Sequence, residues 1–174
     1  MYCYVLFTCT GREEKVKKIL EKRLDNKVFM PFIPMSEAIF RRSGQTKKEL
    51  RPIFPSYVFI ESELSSIEVI QKTRHIIYAS KDIISFLQYD DTGDIAMKDH
   101  ERNMLLRLCN DDRCIESSSG IIVGTRVYIN EGPLIGLESI IKKTNRHKRR
   151  ATIELEFMGE IRQVSVPLEI LKKV

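Results

Sequence analysis

The chain has 174 residues, 43% hydrophobic and 30% charged, an ordinary globular composition for one domain or two small ones, which excludes a chain disordered by composition. No apolar run approaches the roughly 18 residues of a spanning helix, and Tyr2 to Cys9 lacks the basic start and small-residue cleavage site of an export signal, so a cytoplasmic protein is expected. The net charge of +5 is unevenly spread. Residues 1–120 carry 19 Lys+Arg against 18 Asp+Glu and residues 121–174 carry 10 against 6, so an excess of +4 sits in the last third. A basic terminal module invites a polyanionic partner, nucleic acid first.

In chain order, Cys3 to Thr8 is aromatic and β-branched and reads as a strand. Thr10-Gly11-Arg12-Glu13 then has the spacing of a capping box, in which Thr10 and Glu13 satisfy each other's free amides. Val16, Ile19, Leu20 and Leu24 follow at helical spacing. From Val28 to Ile60, Pro31, Pro34 and Pro52 together with alternating apolar residues point to short strands, interrupted between Arg41 and Arg51 by a polar, Gly44-centred tip that reads as an exposed hairpin loop. Phe54-Pro55-Ser56-Tyr57-Val58-Phe59-Ile60 resumes as a strand.

Ser65-Ser66-Ile67-Glu68 offers a second capping box, Ile67 and Ile70 a short helical stripe, and Ile76 to Ala79 another strand. Met104, Leu105 and Leu108 mark a third helix. These elements amount to a mixed α/β sandwich over residues 1–108. Residues 109–120, with two adjacent acids, three serines and a glycine, have the composition of a flexible linker. Beyond it lie short β-rich runs: Arg126 to Ile129, Ser139 to Lys142, Ala151 to Phe157 and Arg162 to Val166. Turns separate them at Glu131-Gly132-Pro133, Asn145 to Lys148 and Met158-Gly159-Glu160. Residues 121–174 therefore read as a small, strongly bent all-β barrel.

No Gly-rich phosphate loop, metalloprotease helix or nucleophile elbow is present, and His75, His100 and His147 lie far apart, so neither catalysis nor a cofactor is expected. The spacings Cys3/Cys9 and Cys109/Cys114 do not match a zinc knuckle, and free thiols are the simpler reading. The densest signal is Lys142-Lys143-Thr144-Asn145-Arg146-His147-Lys148-Arg149-Arg150, six cations in nine residues with no acid. Placed at a strand end and its turn, they form an anion-binding rim, with a solvated loop as the alternative. Asn145, Arg146 and His147 add donors that read base edges or stack on unpaired bases.

A weaker basic stretch, Arg41, Arg42, Lys47, Lys48 and Arg51, sits on the hairpin tip. A polar loop in solvent and a contact to DNA or RNA are equal readings. Phe54, Pro55 and Tyr57 are either core or, if Pro55 marks an edge, an exposed apolar patch for a protein partner; composition alone favours the core.

Three stretches in this order resemble the NusG-type transcription elongation factors. They are Tyr4-Val5-Leu6 followed by Thr10-Gly11-Arg12-Glu13-Glu14, then Phe54-Pro55-Ser56-Tyr57-Val58-Phe59, then Gly124-Thr125-Arg126-Val127-Tyr128-Ile129-Asn130-Glu131-Gly132-Pro133-Leu134-Ile135-Gly136. The resemblance covers nearly the whole chain and implies an NGN-type domain, a mixed sheet flanked by helices, joined by a linker to a small KOW barrel of SH3-like form. The basic loop together with Phe157-Met158-Gly159 looks most like the LoaP antiterminators within that family.

The resemblance implies that the first domain binds the clamp helices of RNA polymerase through Tyr4, Phe54, Pro55 and Tyr57, reversing the core-first reading of those aromatics. It further implies that the barrel binds a hairpin in the nascent leader RNA through Lys142, Lys143, Asn145, Arg146, His147, Lys148, Arg149 and Arg150. From the sequence alone, nothing requires more than a monomer, and no membrane contact is expected. The family's usual Trp is Cys3 here, its Phe-Pro-Gly-Tyr glycine is Ser56, its aromatic after Gly-Pro is Leu134 and its later glycine is Ser139. Ser56 must therefore adopt a backbone angle that glycine favours, while the barrel changes argue against the ribosomal-protein or termination-factor contacts of the general factor. A general elongation factor without RNA specificity and a ribosome-associated KOW protein are the rival readings.

Overall fold

The structure is a computed structural model that describes residues 1–42 and 44–174, without the side chains of residues 39, 41, 42 and 46. The chain divides into two compact units. One comprises Met1–Ile33, Phe54–Arg102 and Phe157–Glu160, the other Pro34–Ile53, Asn103–Glu156 and Ile161–Val174.

The first unit is built on strands β1 (Tyr2–Thr8), β2 (Met30–Phe32), β5 (Tyr57–Ser62) and β6 (Ile83–Phe86), in the order β2-β5-β1-β6 among the described residues. β1 runs antiparallel to β5, with Val5 opposite Phe59 and Phe7 opposite Tyr57. Cys3, Tyr4, Val5 and Leu6 are all buried. The central strand is thus covered on both faces, which is why it reads as a continuous apolar run rather than an alternating one. Helix α1 (Glu13–Arg23) buries Val16 and Leu20, one turn apart.

The capping box expected at Thr10 and Glu13 does not form. The N-cap is Arg12, without a side-chain cap. Glu13 is turned inward, where its Oε1 accepts the Ser56 N–H at 2.6 Å, and the Thr10 and Ser56 hydroxyls meet at 2.7 Å. A tertiary donor thus takes the carboxylate that local spacing assigned to the helix end.

The second capping box is present: Glu68 Oε2 accepts the Ser65 N–H at 2.9 Å and the Ser65 hydroxyl at 2.7 Å. It opens α2 (Ser66–Ala79), which runs through the residues expected to form a strand at Ile76 to Ala79. The reason is periodicity. Val69, Thr73 and Ile76 are buried on one helical stripe, and the apolar run Ile76-Ile77 is too short to tell strand from helix by itself. The strand that does form, β6, lies a few residues later.

In the second unit, β3 (Met35–Arg42) and β4 (Gln45–Pro52) make the expected hairpin, in register from Met35 opposite Pro52 to Arg42 opposite Gln45. Its strands reach further into the polar stretch than composition predicts. β7 (Cys114–Ile115) adds to β3 in parallel. Strands β8 (Ser118–Val123), β9 (Arg126–Glu131), β10 (Ile141–Asn145), β11 (Arg150–Phe157) and β12 (Glu160–Lys173) form a sheet of order β10-β11-β12-β8-β9. Helix α3 (Asp99–Leu108), counted with the first unit up to Arg102 and with the second from Asn103, matches the apolar spacing of its last residues.

The residues expected as a flexible linker are partly strand, at β7 and the start of β8. Ser118 is buried and its Oγ accepts the Leu134 N–H at 3.1 Å. Gly132, at φ +95°, passes so close that an added Cβ would lie 2.6 Å from the Ser118 Cα. Serine content suggests a tether because composition does not register a buried hydroxyl with a partner. Along β11, Ala151, Ile153, Leu155 and Phe157 alternate inward, the period-two pattern of a half-buried strand.

Candidate nucleic-acid and protein interfaces

The basic stretch occupies the end of β10, the turn and the start of β11. Asn145 shapes the turn, its Oδ1 accepting the Lys148 N–H at 2.9 Å, and Arg149 takes the left-handed conformation at φ +50° with its N–H donating to the Arg146 carbonyl at 3.2 Å. Asn at a turn start supplies this local acceptor. Asn145, Arg146, His147 and Lys148 are all exposed in consequence.

The cations there do not behave alike. Lys142 Nζ lies 3.4 Å from Glu154 and Arg149 Nη2 3.6 Å from Glu169. Arg150 is half-buried and donates through Nε to Ser165 Oγ at 2.6 Å, through Nη2 to the Ser165 carbonyl at 2.7 Å, and through Nη1 to the Glu37 carbonyl at 3.1 Å. Its Nη2 also lies 3.4 Å from Ser36 Oγ. A guanidinium with this many acceptors is a bracket between β12 and β3 rather than an open ligand. Lys143, Arg146 and Lys148 carry no ion pair among the described residues. Arg146, His147 and Arg149 also line a groove together with Glu169 and Ile170.

On the first unit the aromatic residues are mostly inside. Tyr4 is fully buried and Phe54 is only 6% exposed. Tyr4 Oη donates to the Leu64 carbonyl at 2.6 Å, and burial pushes its pKa up to about 12. Pro55 is exposed and Tyr57 half-buried. Of the apolar surface expected at Tyr4, Phe54, Pro55 and Tyr57, the structure therefore leaves Pro55 and the Tyr57 edge at solvent, because Tyr4 sits on the strand covered on both faces.

Phe54 is covered by a residue that the sequence pattern places only at a strand end. Phe157 stacks on Phe54 with ring centroids 4.5 Å apart and planes 13° apart, and lies 5.3 Å from Tyr57 and 5.9 Å from Phe59. The next two residues, Met158 at φ +50° and Gly159 at φ +81°, aim successive N–H groups at one carboxylate. Glu101, buried, accepts them at 3.0 and 2.9 Å and also accepts the Tyr89 hydroxyl at 2.6 Å. Burial, and next the Glu101 acceptor, push the Tyr89 phenol upward. Two adjacent backbone N–H groups converging at a turn make an anion-binding concavity, here filled by the protein's own carboxylate. Only the Met-Gly turn signal hints at it; nothing in the sequence points to Glu101.

At the hairpin tip, Lys47 and Lys48 are exposed and Lys48 lies 3.5 Å from Glu37. The side chains of Arg41 and Arg42 lie outside the described residues. The Arg51 guanidinium sits 4.5 Å over the Phe40 ring, so one cation is already engaged with an aromatic face. The four thiols are free, and burial pushes the Cys109 thiol up to about 12, the reverse of an activated thiolate. Among the described residues no helix is long and apolar enough to cross a membrane.

The family described as "Transcription termination factor nusG" matches residues 1–106. The chain belongs to the NusG family. Curated relatives named transcription termination/antitermination protein NusG include one from Staphylococcus carnosus, 24% identical over 98% of this chain and 94% of its own length, and one from Thermus thermophilus, 25% identical over 98% and 96%. A solved NusG structure from Thermotoga maritima, described for its domain interaction, aligns at 21% identity and a TM-score of 0.55 over 97% of this chain and 93% of that one. The chain is a NusG-type transcription termination/antitermination factor on a NusG-like fold.

Within that family assignment, Ser56 is the instructive departure. It adopts φ +75°, a conformation that costs a non-glycine residue about 1–2 kcal/mol. The Glu13 carboxylate, the Thr10 hydroxyl and the Thr8 N–H, which donates to the Ser56 carbonyl at 2.8 Å, together hold it there. Burial alone would raise the Glu13 pKa, but the backbone hydrogen bonds it accepts outweigh this and hold it below the ordinary glutamate value. Leu134, in place of the expected aromatic, is fully buried.

Proposed function

We propose that this NusG-family chain is a processive antiterminator of the LoaP type, binding nascent leader RNA through the turn from Lys142 to Arg150 and the clamp helices of RNA polymerase through the face that exposes Pro55 and Tyr57. In this reading residues 1–108 serve as the polymerase-binding module, 121–174 as a KOW barrel for RNA, and 109–120 as their connection. The observation that carries it is the exposed turn on which Lys143, Arg146 and Lys148 face solvent with no ion pair among the described residues. Such cations release counterions from RNA at little internal cost, whereas a cation already paired must first give up its partner. Among the eight residues proposed to bind RNA, these three supply the charge, Asn145 and His147 supply polar contact, and Arg150 holds the turn in place.

Polymerase binding works by differential affinity: a ligand that bridges the clamp favours the closed enzyme over the opened, pause-prone one, with no chemical step. Tyr4 and Phe54 support this face from below. Because Phe157 lies over Phe54 and Tyr57, full use of the patch requires that ring to leave it. The exposed Lys47 and Lys48 are a further candidate contact for non-template DNA.

Crosslinking and sequencing of RNA bound to the full-length protein in cells tests the reading. Enrichment of a few leader hairpins, with polymerase copurifying, is the expected result. Uniform recovery along all transcripts would favour a general elongation factor, and recovery of ribosomal RNA a ribosome-associated protein.

A further inference from the structure

The groove beside the basic turn has a composition that phosphate binding does not explain. Its volume is ≈ 380 Å³, and it is lined by Arg146, His147, Arg149, Glu169 and Ile170, within the ~300–1,000 Å³ typical of small-ligand clefts. Ile170, on β12, is buried and apolar. Glu169, from the same strand, keeps its carboxylate partly open to solvent, 3.6 Å from the Arg149 guanidinium. A carboxylate in an RNA-facing groove repels phosphate. It is acceptor-only when ionised, so what it selects is a ligand edge bearing N–H donors.

We infer that this groove is a base pocket that takes an unpaired guanine, with Glu169 as the specificity-determining residue and Arg146 and His147 as stacking partners. The inference rests on the RNA-binding reading of the same turn. Unpaired bases in RNA are held by stacking on imidazole or guanidinium planes and read along their Watson–Crick edges. Guanine is the base whose Watson–Crick edge offers two adjacent donors, N1–H and the N2 amino group, which match the two oxygens of one carboxylate. Cytosine and adenine each offer a single amino group there, and uracil one N–H. The Arg149–Glu169 pair keeps the empty pocket from holding an unpaired charge; when guanine engages Glu169, the Arg149 fork is released toward the flanking phosphate.

The test uses the full-length chain and short fluorescent uridine oligonucleotides carrying one central guanosine, inosine or adenosine, titrated at low ionic strength. Guanosine is expected to bind about tenfold tighter than uridine alone, as one bidentate pair provides. Inosine, which lacks the N2 amino group, should lose most of that gain. Glu169→Gln should abolish the guanosine preference while leaving the all-uridine affinity equal or higher, because a negative charge is removed; His147→Ala should weaken every oligonucleotide alike. Equal wild-type binding of all the oligonucleotides, or a guanosine preference that survives Glu169→Gln, overturns the base pocket while leaving RNA binding intact. Failure of every oligonucleotide to bind overturns the RNA reading and the pocket with it. The inosine comparison needs no variant, so a misfolded mutant does not decide the outcome.

Discussion

Two surfaces of this chain, the aromatic face around Phe54 and Tyr57 and the basic turn around Arg146, meet solvent in opposite ways. The aromatic face is closed by the chain itself: Phe157 stacks on Phe54, and Glu101 holds the following turn by two backbone N–H groups. The basic turn stays open, with Lys143, Arg146 and Lys148 in water. The difference follows from the cost of exposure. An apolar ring left in water forfeits roughly 25 cal/mol for each Å² not buried, so a neighbouring ring takes the site, whereas an ammonium or guanidinium is well solvated and nothing drives it inside. An interface built on apolar contact is thus prone to self-occupation, and one built on charge is ready without rearrangement.

The largest expected effect breaks the closed side of this comparison. Phe157→Ala should lower stability by about 3 kcal/mol in chemical denaturation, and it should raise capture of RNA polymerase because Phe54 and Tyr57 lose their cover. Tyr57→Ala should reduce that capture and leave RNA affinity unchanged. An unfolding midpoint unmoved by Phe157→Ala would mean that the stack contributes nothing.

On the open side, reversing Lys143, Arg146 and Lys148 to Glu should weaken RNA binding by about 10²-fold, and the log–log salt slope on a single-stranded probe should shrink by about 2, at roughly 0.7 for each phosphate no longer neutralised. A slope that stays put would remove these cations from the interface. Arg150→Ala is the internal contrast. It should cost about 2 kcal/mol of stability, since it deletes hydrogen bonds from a charged donor, with the salt slope moving by less than the equivalent of one phosphate.

Smaller effects concern the turn that precedes Tyr57. The Glu13 pKa is held below its ordinary value in the folded state, so its contribution is present above the ordinary glutamate range and is lost as pH falls through the folded value. Glu13→Gln should therefore lower stability by about 1 kcal/mol at neutral pH and flatten the loss between neutral and acid pH, read as the difference in thermal midpoint. Ser56→Ala keeps the left-handed strain and removes the hydroxyl that meets Thr10, at a cost of about 1 kcal/mol. Ser56→Gly removes the same hydroxyl but relieves the strain, and should come out near neutral. Equal effects of the two substitutions would show that φ at this position carries no cost.

Much was legible locally. The α1 stripe, the Ser65–Glu68 capping box, the polar hairpin, the third helix and the turns at Asn145 and Met158 all depend on neighbours a few residues apart, and all appear. Local patterns fail where a distant group outcompetes a near one. Glu13 left its helix end for the Ser56 N–H, Ile76 joined a helical stripe begun at Val69, and the Ser118 hydroxyl met the Leu134 amide instead of water. For the interfaces, the cationic run was visible as composition, but not the division of its members into exposed cations, ion pairs and the Arg150 bracket.

What the sequence by itself determined is the charge asymmetry, the position of the basic turn and the three landmarks of a NusG-type chain, because charge and turn chemistry are properties of adjacent residues. Only the tertiary structure decided that Phe157 covers Phe54, that Glu101 captures the turn after it, and that Glu169 stands beside Arg149. Each of those joins residues far apart in the chain, and side-chain contacts of that range are set by how strands and helices pack, which no local pattern encodes.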